Sequence, residues 1–234
     1  MYRATKLFFV GALGAAALSA PAFAETVYDQ PGTTAACAGA CWTSSFGDGV
    51  GFQAYDDFSL TADANVTGAT WRGFIQGPDS NGPVDPAIQD WTISFSADNG
   101  GAPGSVLYSH TFAAADVSTT FLGDSTFNGT VHVYEFHVDL PGGFAATAGT
   151  TYWFSPFATQ EHFYPFFSWS PAAAQTGGTT YQIFRPNGDT FVRPGDRAFS
   201  LQAGVPEPAT WAVMIVGLGG AGAMLRRRRA LLAA

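Results

Sequence analysis

The sequence predicts an all-β chain, an antiparallel β-sandwich or jelly-roll-like body, on three observations. Apolar and polar residues alternate with period two in several short runs. The plainest is DWTISFSAD, where Trp91, Ile93, Phe95 and Ala97 share one face and Thr92, Ser94 and Ser96 the other. Turn chemistry separates the runs: GPDSNGP, DNGGAPG, LPGG, TGG and PNGD each set Gly, Pro, Asn or Asp between apolar stretches. The composition, rich in Gly, Thr, Ser and Phe and poor in Lys, Glu, Leu and Met, favours strands and turns over helices.

Taken in order, the runs predict strands over residues 52–60, 65–75, 91–97, 105–112, 131–140, 150–157, 166–170, 179–184, 190–193 and 198–202. No convincing amphipathic helix lies between them, which argues against a parallel α/β sheet. No self-similarity recurs at a fixed period, which argues against a solenoid or propeller. Asn187-Gly188 is read as a tight hairpin, because both residues can take the positive φ that a primed two-residue turn requires.

The two ends read differently. Arg3 and Lys6 precede an apolar run over residues 7–18, followed by Pro21 and the small-residue site Ala22-Phe23-Ala24. That pattern predicts a secretory signal peptide over residues 1–24; its apolar run is too short for the ~20 residues of a spanning helix. The last thirty residues, VPEPATWAVMIVGLGGAGAMLRRRRALLAA, carry a proline pair, an apolar run and four consecutive arginines. Residues 25–204 between them are expected to form one domain, large enough to bury its own core.

Six of the ten basic residues lie in the two ends, leaving Arg72, Arg185, Arg193 and Arg197 in the body, and no lysine. Against seventeen Asp and Glu over the same 180 residues, the body carries a net charge of −13, compared with −8 for the whole chain. Such a surface repels phosphate backbones and excludes nucleic acid as a partner.

Cys37 and Cys41 stand in CAGACW, in a chain directed to a disulfide-permissive compartment, and are expected to form a local disulfide. A helical i, i+4 pair is the alternative, in which the separation is marginal for bridging and the thiols stay reduced. Metal binding would want two further soft ligands, and a redox pair has a spacer of two residues rather than three.

Reaction chemistry is sparse. Of four histidines, His132 and His137 share one run, but period two puts His132, Tyr134 and Phe136 on one face and Val133, Glu135 and His137 on the other. Glu135 and His137 are read as part of a solvated outer face. Glu161 and His162 are not set in H-E-x-x-H, and neither the nucleophile elbow G-x-S-x-G nor the phosphate loop G-x-x-x-x-G-K-[ST] occurs. A carboxylate pair for glycoside hydrolysis assembles in space and leaves no mark in sequence. The expectation is a protein that is not an enzyme and has no cofactor. Asp79, Asn81 and Asp85 around Gly82 are weak calcium candidates: Pro83 interrupts the loop and no bidentate Glu follows, so a plain turn is preferred.

Aromatic residues are the remaining signal. Trp42, Trp71, Trp91, Trp153 and Trp169 are mostly expected in the core, where alternate strand positions are filled by such rings. The stretch EHFYPFFSW differs, because its consecutive rings cannot all point inward from one strand. Tyr164 and Trp169 are therefore candidates for a flat platform against a pyranose face.

The tail resembles the PEP-CTERM sorting signal. Pro206, Glu207 and Pro208 match its triplet, an apolar helix over about residues 209–225 its membrane segment, and Arg226, Arg227, Arg228 and Arg229 its basic stop. The same tail is also known under the label of an ice-binding protein C-terminal domain, yet the body has no flat, repetitive Thr-rich array. The resemblance covers the tail; the body is only loosely similar to the secreted β domains that precede such tails. What it implies is an exported protein that an exosortase recognises at the triplet, with the inner membrane as a transient station. Its destination is the cell envelope or extracellular matrix, in bacteria that make exopolysaccharide. Physics agrees. Residues 211–225 make a helix of about 22 Å, short for a ~30 Å hydrocarbon layer, so flanking residues or arginine snorkelling must help it span. The arginines stay on the cytoplasmic side. On this reading the protein makes adhesive or exopolysaccharide contacts; the alternative is a lectin-like carbohydrate-binding module or a carbohydrate-active enzyme.

Overall fold

The computed structural model describes residues 24–33, 41–76, 88–126, 130–174 and 178–204, together with Gly217 and Gly219 of the tail. Fourteen strands follow one another: β1 (Glu25–Gln30), β2 (Trp42–Thr43), β3 (Ser45–Gly47), β4 (Val50–Ser59), β5 (Ala64–Gln76), β6 (Ile88–Asp98) and β7 (Pro103–Ala113). After a 3₁₀ turn (Ala114–Asp116) come β8 (Ser118–Thr126), β9 (Thr130–Ala146), β10 (Thr151–Gln160), β11 (Phe166–Trp169), β12 (Thr179–Phe184), β13 (Thr190–Pro194) and β14 (Phe199–Ala203). All ten expected strands are present, with ends shifted by a few residues; β1, β2, β3 and β8 are additional.

The strands form two seven-stranded sheets. In the first, β14 and β11 pair with successive parts of β5, β1 extends from β14 and β2 from β11, and β9 and β8 continue from the other side of β5. The second runs β13-β12-β4-β3-β10-β6-β7, with β4 also pairing β10 beyond the short β3. Pairing is antiparallel throughout, except between β3 and β10.

One core fills the space between the sheets. Trp71, Phe136, Val138 and Leu201 of the first sheet meet Ala54, Phe58, Ile93, Phe95 and Phe154 of the second. Rings cross the gap: Trp71 meets Trp91 edge-on at 4.9 Å, and Phe95 stacks on Phe144 at 4.5 Å. This is the alternating inward filling expected of a sandwich. The expected faces of β6 hold for Trp91, Ile93 and Phe95. Ser94 and Ser96 on the opposite face are buried too, because Ser155 and the bulky Trp153 of β10 flank these short side chains.

Two turns correct the sequence reading. Between β12 and β13 only Gly188 takes a positive φ, of 80°; Asn187 does not, so the turn is not primed. Instead Gly188 N–H donates to Phe184 O at 2.8 Å, and the Asn187 side chain binds Asp189 through both its oxygen and its nitrogen. The primed two-residue turn lies elsewhere, at Asp48-Gly49, with φ of 51° and 76° between the paired residues Gly47 and Val50.

Among the described residues no helix is long and apolar enough to cross a membrane. The expected signal peptide and the tail helix over residues 209–225 lie outside the described residues, apart from Gly217 and Gly219, which are helical.

Candidate functional site

Several expected site residues also fall outside the described ones: the sorting residues Pro206, Glu207 and Pro208, the arginines Arg226 to Arg229, the calcium candidates Asp79, Asn81 and Asp85, and Cys37. Cys41, just before β2, carries no free thiol. No group of three or more His, Cys, Asp or Glu among the described residues is placed to hold a metal ion.

The two aromatic candidates part company. Trp169, on β11, is 0 % exposed. Its ring packs edge-on against Phe154 at 5.7 Å and beside Phe199 at 5.8 Å, and its indole N–H donates to Ala198 O at 2.9 Å. A ring enclosed on both faces offers none to a sugar, so Trp169 is a core residue and not a glycan platform. Its neighbours in sequence mislead because β11 is covered on both sides, which a run of aromatics does not reveal.

Tyr164 is 48 % exposed, in the loop between β10 and β11. Phe163 and Phe166 flank its ring at 5.1 and 5.0 Å, and the Tyr164–Pro165 peptide is cis. The loop is tied to the primed turn: Asp48 accepts from Phe163 N–H at 3.1 Å and pairs with His162 at 3.1 Å. The His162 hydrogen bond holds the Asp48 carboxyl below its usual range, and in return Asp48 raises the His162 imidazole.

Glu135 and His137 share the outer face of β9, as expected, and there meet β5. Arg72 donates to Glu135 at 2.9 Å and to Gly32 O at 2.7 Å, while His137 bonds Thr70 at 2.9 Å. The small pocket beside Arg72 and Glu135, of about 100 Å³, is crossed by these bonds. His132 pairs with Asp124 of β8 instead.

A buried charged group joins the sheets. Asp56 faces inward from β4, and Arg197 N–H, from the segment between β13 and β14, donates to its carboxylate at 2.7 Å. The Gln30 amide, turned to satisfy its neighbours, donates to the same carboxylate at 2.9 Å and to Arg197 O at 2.8 Å. Burial pushes the Asp56 carboxyl well up and the Arg197 guanidinium down to about 10. These groups hold β1, β4 and the approach to β14 together.

A second cavity, of about 370 Å³, lies on the outer face of the second sheet, lined by Asp57, Asp98, Thr151, Trp153, Thr179 and the glycines Gly101 and Gly178. Asp57 of β4 sits directly across from Trp153 of β10, which sits across from Ser96 of β6. Asp98 at the end of β6 accepts the Trp153 indole N–H at 2.9 Å, and Gly101 N–H lies 3.1 Å from both its oxygens. Those bonds lower the Asp98 pKa, whereas burial raises that of Asp57. Sequence reasoning missed this site. Its acids lie 41 residues apart, and the one cue, Asp98 in a turn, reads as a plain loop residue.

No curated protein matches the chain. Residues 204–229 match the family model of the PEP-CTERM protein-sorting motif. The chain thus carries a PEP-CTERM sorting motif, which implies recognition by an exosortase and export through the membrane to the cell envelope or extracellular space.

Proposed function

We propose that this chain is a non-enzymatic protein which leaves the cytoplasm by its N-terminal signal peptide and pauses in the inner membrane on its C-terminal helix. An exosortase then acts at Pro206, Glu207 and Pro208 and delivers it to the envelope or extracellular matrix, where the sandwich makes adhesive or exopolysaccharide contacts. The observation that carries the reading is the match of residues 204–229 to the sorting motif. Two features support a binding role over catalysis. His162, His132 and His137 each pair with a nearby carboxylate or hydroxyl, and no histidine lines either cavity described above. Oxidation of Cys37 and Cys41 to a disulfide belongs to the same reading, since export carries the pair to an oxidising compartment. Deleting residues 206–208 tests the sorting step: the chain should accumulate in the inner membrane at its unprocessed mass. Processing and release equal to the unaltered protein would overturn it.

A further inference from the structure

We propose that the cleft between Asp57, Asp98 and Trp153 binds one neutral or amino-substituted sugar unit and turns away acidic sugars. The inference deepens the reading of a glycan-contacting exported protein and rests on it for the choice of ligand class; the cleft itself stands on geometry. At about 370 Å³ the cavity is near the lower end of the ~300–1,000 Å³ range of small-molecule sites, the size for one ring with room around it rather than for an extended chain.

Its lining is matched to hydroxyl groups. Asp57 and Asp98 supply carboxylate oxygens that accept from vicinal hydroxyls, and the Thr151 and Thr179 hydroxyls both donate and accept. Asp98 is pre-oriented, since the Trp153 indole and Gly101 N–H groups fix its plane. That leaves the indole without a donor for ligand, and Tyr181, edge-on at 5.2 Å, holds the ring still. Trp153 is therefore a rigid wall, which lowers the ordering cost of binding. Asp57 is half-buried on β4 across from Trp153, so it and Asp98 present their carboxylate oxygens to the cleft from either side of the indole.

Charge sets the preference. No basic side chain lines the cleft, and two carboxylates repel a third. An ammonium substituent on the sugar is favoured by the same field. Calcium would need six to eight oxygen ligands, and no group of three or more acidic, His or Cys ligands gathers among the described residues.

The test titrates the full chain in detergent micelles with neutral gluco-, galacto- and manno-tetrasaccharides, deacetylated chitotetraose and tetragalacturonate, read by calorimetry and tryptophan fluorescence. A neutral or amino sugar should bind at least tenfold more tightly than tetragalacturonate. Thr151→Val and Asp57→Asn should each weaken that binding at least tenfold with thermal melts unchanged, and Asp57→Asn should also narrow the margin against the uronate. Tyr164→Ala, outside the cleft, should leave it alone. Equal binding of the uronate, no binding of any probe, or full affinity in both cleft variants overturns the proposal. Retention of the cleft variants in the exopolysaccharide matrix would leave the broader reading standing while this one falls; loss of matrix retention by the unaltered protein would remove the broader reading.

Discussion

Replacing Trp169 separates a core ring from a binding ring, because the two roles predict opposite results. In Trp169→Ala a 0 % exposed indole leaves a cavity between Phe154 and Phe199. Emptying a buried aromatic position costs about 3–5 kcal/mol. The lost hydrogen bond adds only about 1 kcal/mol, since Ala198 O keeps the Arg72 N–H at 3.1 Å and is not left bare. With a urea m-value of about 2 kcal/mol/M, the total of about 5 kcal/mol lowers the unfolding midpoint by roughly 2.5 M. Trp169→Phe keeps the ring contacts but loses the hydrogen bond and part of the apolar area, so its midpoint should fall by about a third as much. Urea unfolding followed by far-UV circular dichroism measures both. A midpoint unchanged in Trp169→Ala, together with lost glycan binding, would put the ring back on the surface and refute the assignment.

Two further outcomes are expected. His162 should titrate above 6.5 by NMR and return toward that value in Asp48→Asn, because Asp48 stabilises the imidazolium; the pair then supports the loop below pH 6.5 and loses that support as pH rises through the raised value. An unshifted His162 in the unaltered chain would mean that the contact with Asp48 does not persist in solution. The mass of the exported protein should rise by about two hydrogens on reduction, and Cys37→Ser should leave the other thiol open to alkylation without a reductant; alkylation of both cysteines in the untreated protein would show that no bridge forms.

The sequence was legible wherever a strand had a buried face. In β6 and β9 the period of two follows from one side packing on the core, and it located both, including the opposite faces of Phe136 and His137. β8, STTFLGDST, lies at the margin of its sheet and is mostly exposed, so nothing forces its side chains to alternate. β1 is paired by β14, some 170 residues away, and its short polar run has no local signature. Asp48-Gly49 did carry a strong turn signal, but the strand before it, β3, is only three residues long and drew no attention to it. The cleft was illegible for a different reason. Asp57 and Trp153 become neighbours only through the pairing of β4 with β10, and a carboxylate's partner across a sheet is not written beside it in sequence.

The arginines explain why the cleft, of all the surface, is read as selective. Seventeen acidic residues over 25–204 face four guanidinium groups, and none of the four is spread over open surface as a free cation. Arg72 is bound to Glu135 and two backbone carbonyls, and Arg197 is buried beside Asp56. Arg193 lies 4.6 Å from the Trp42 ring, and Arg185 lies 5.6 Å from that of Phe157. The positive charge is consumed in joining strands to one another, so the field outside the sandwich is set by carboxylates. An acidic polymer would meet repulsion over most of this body, felt within the screening length of about 8 Å at physiological salt. A neutral or amino-bearing polymer meets no such barrier, and in the cleft it finds the half-buried Asp57 and an Asp98 held in place by the Trp153 indole and Gly101 N–H groups. The same arrangement that leaves the body acidic therefore favours one class of polysaccharide over the other before any individual contact is made.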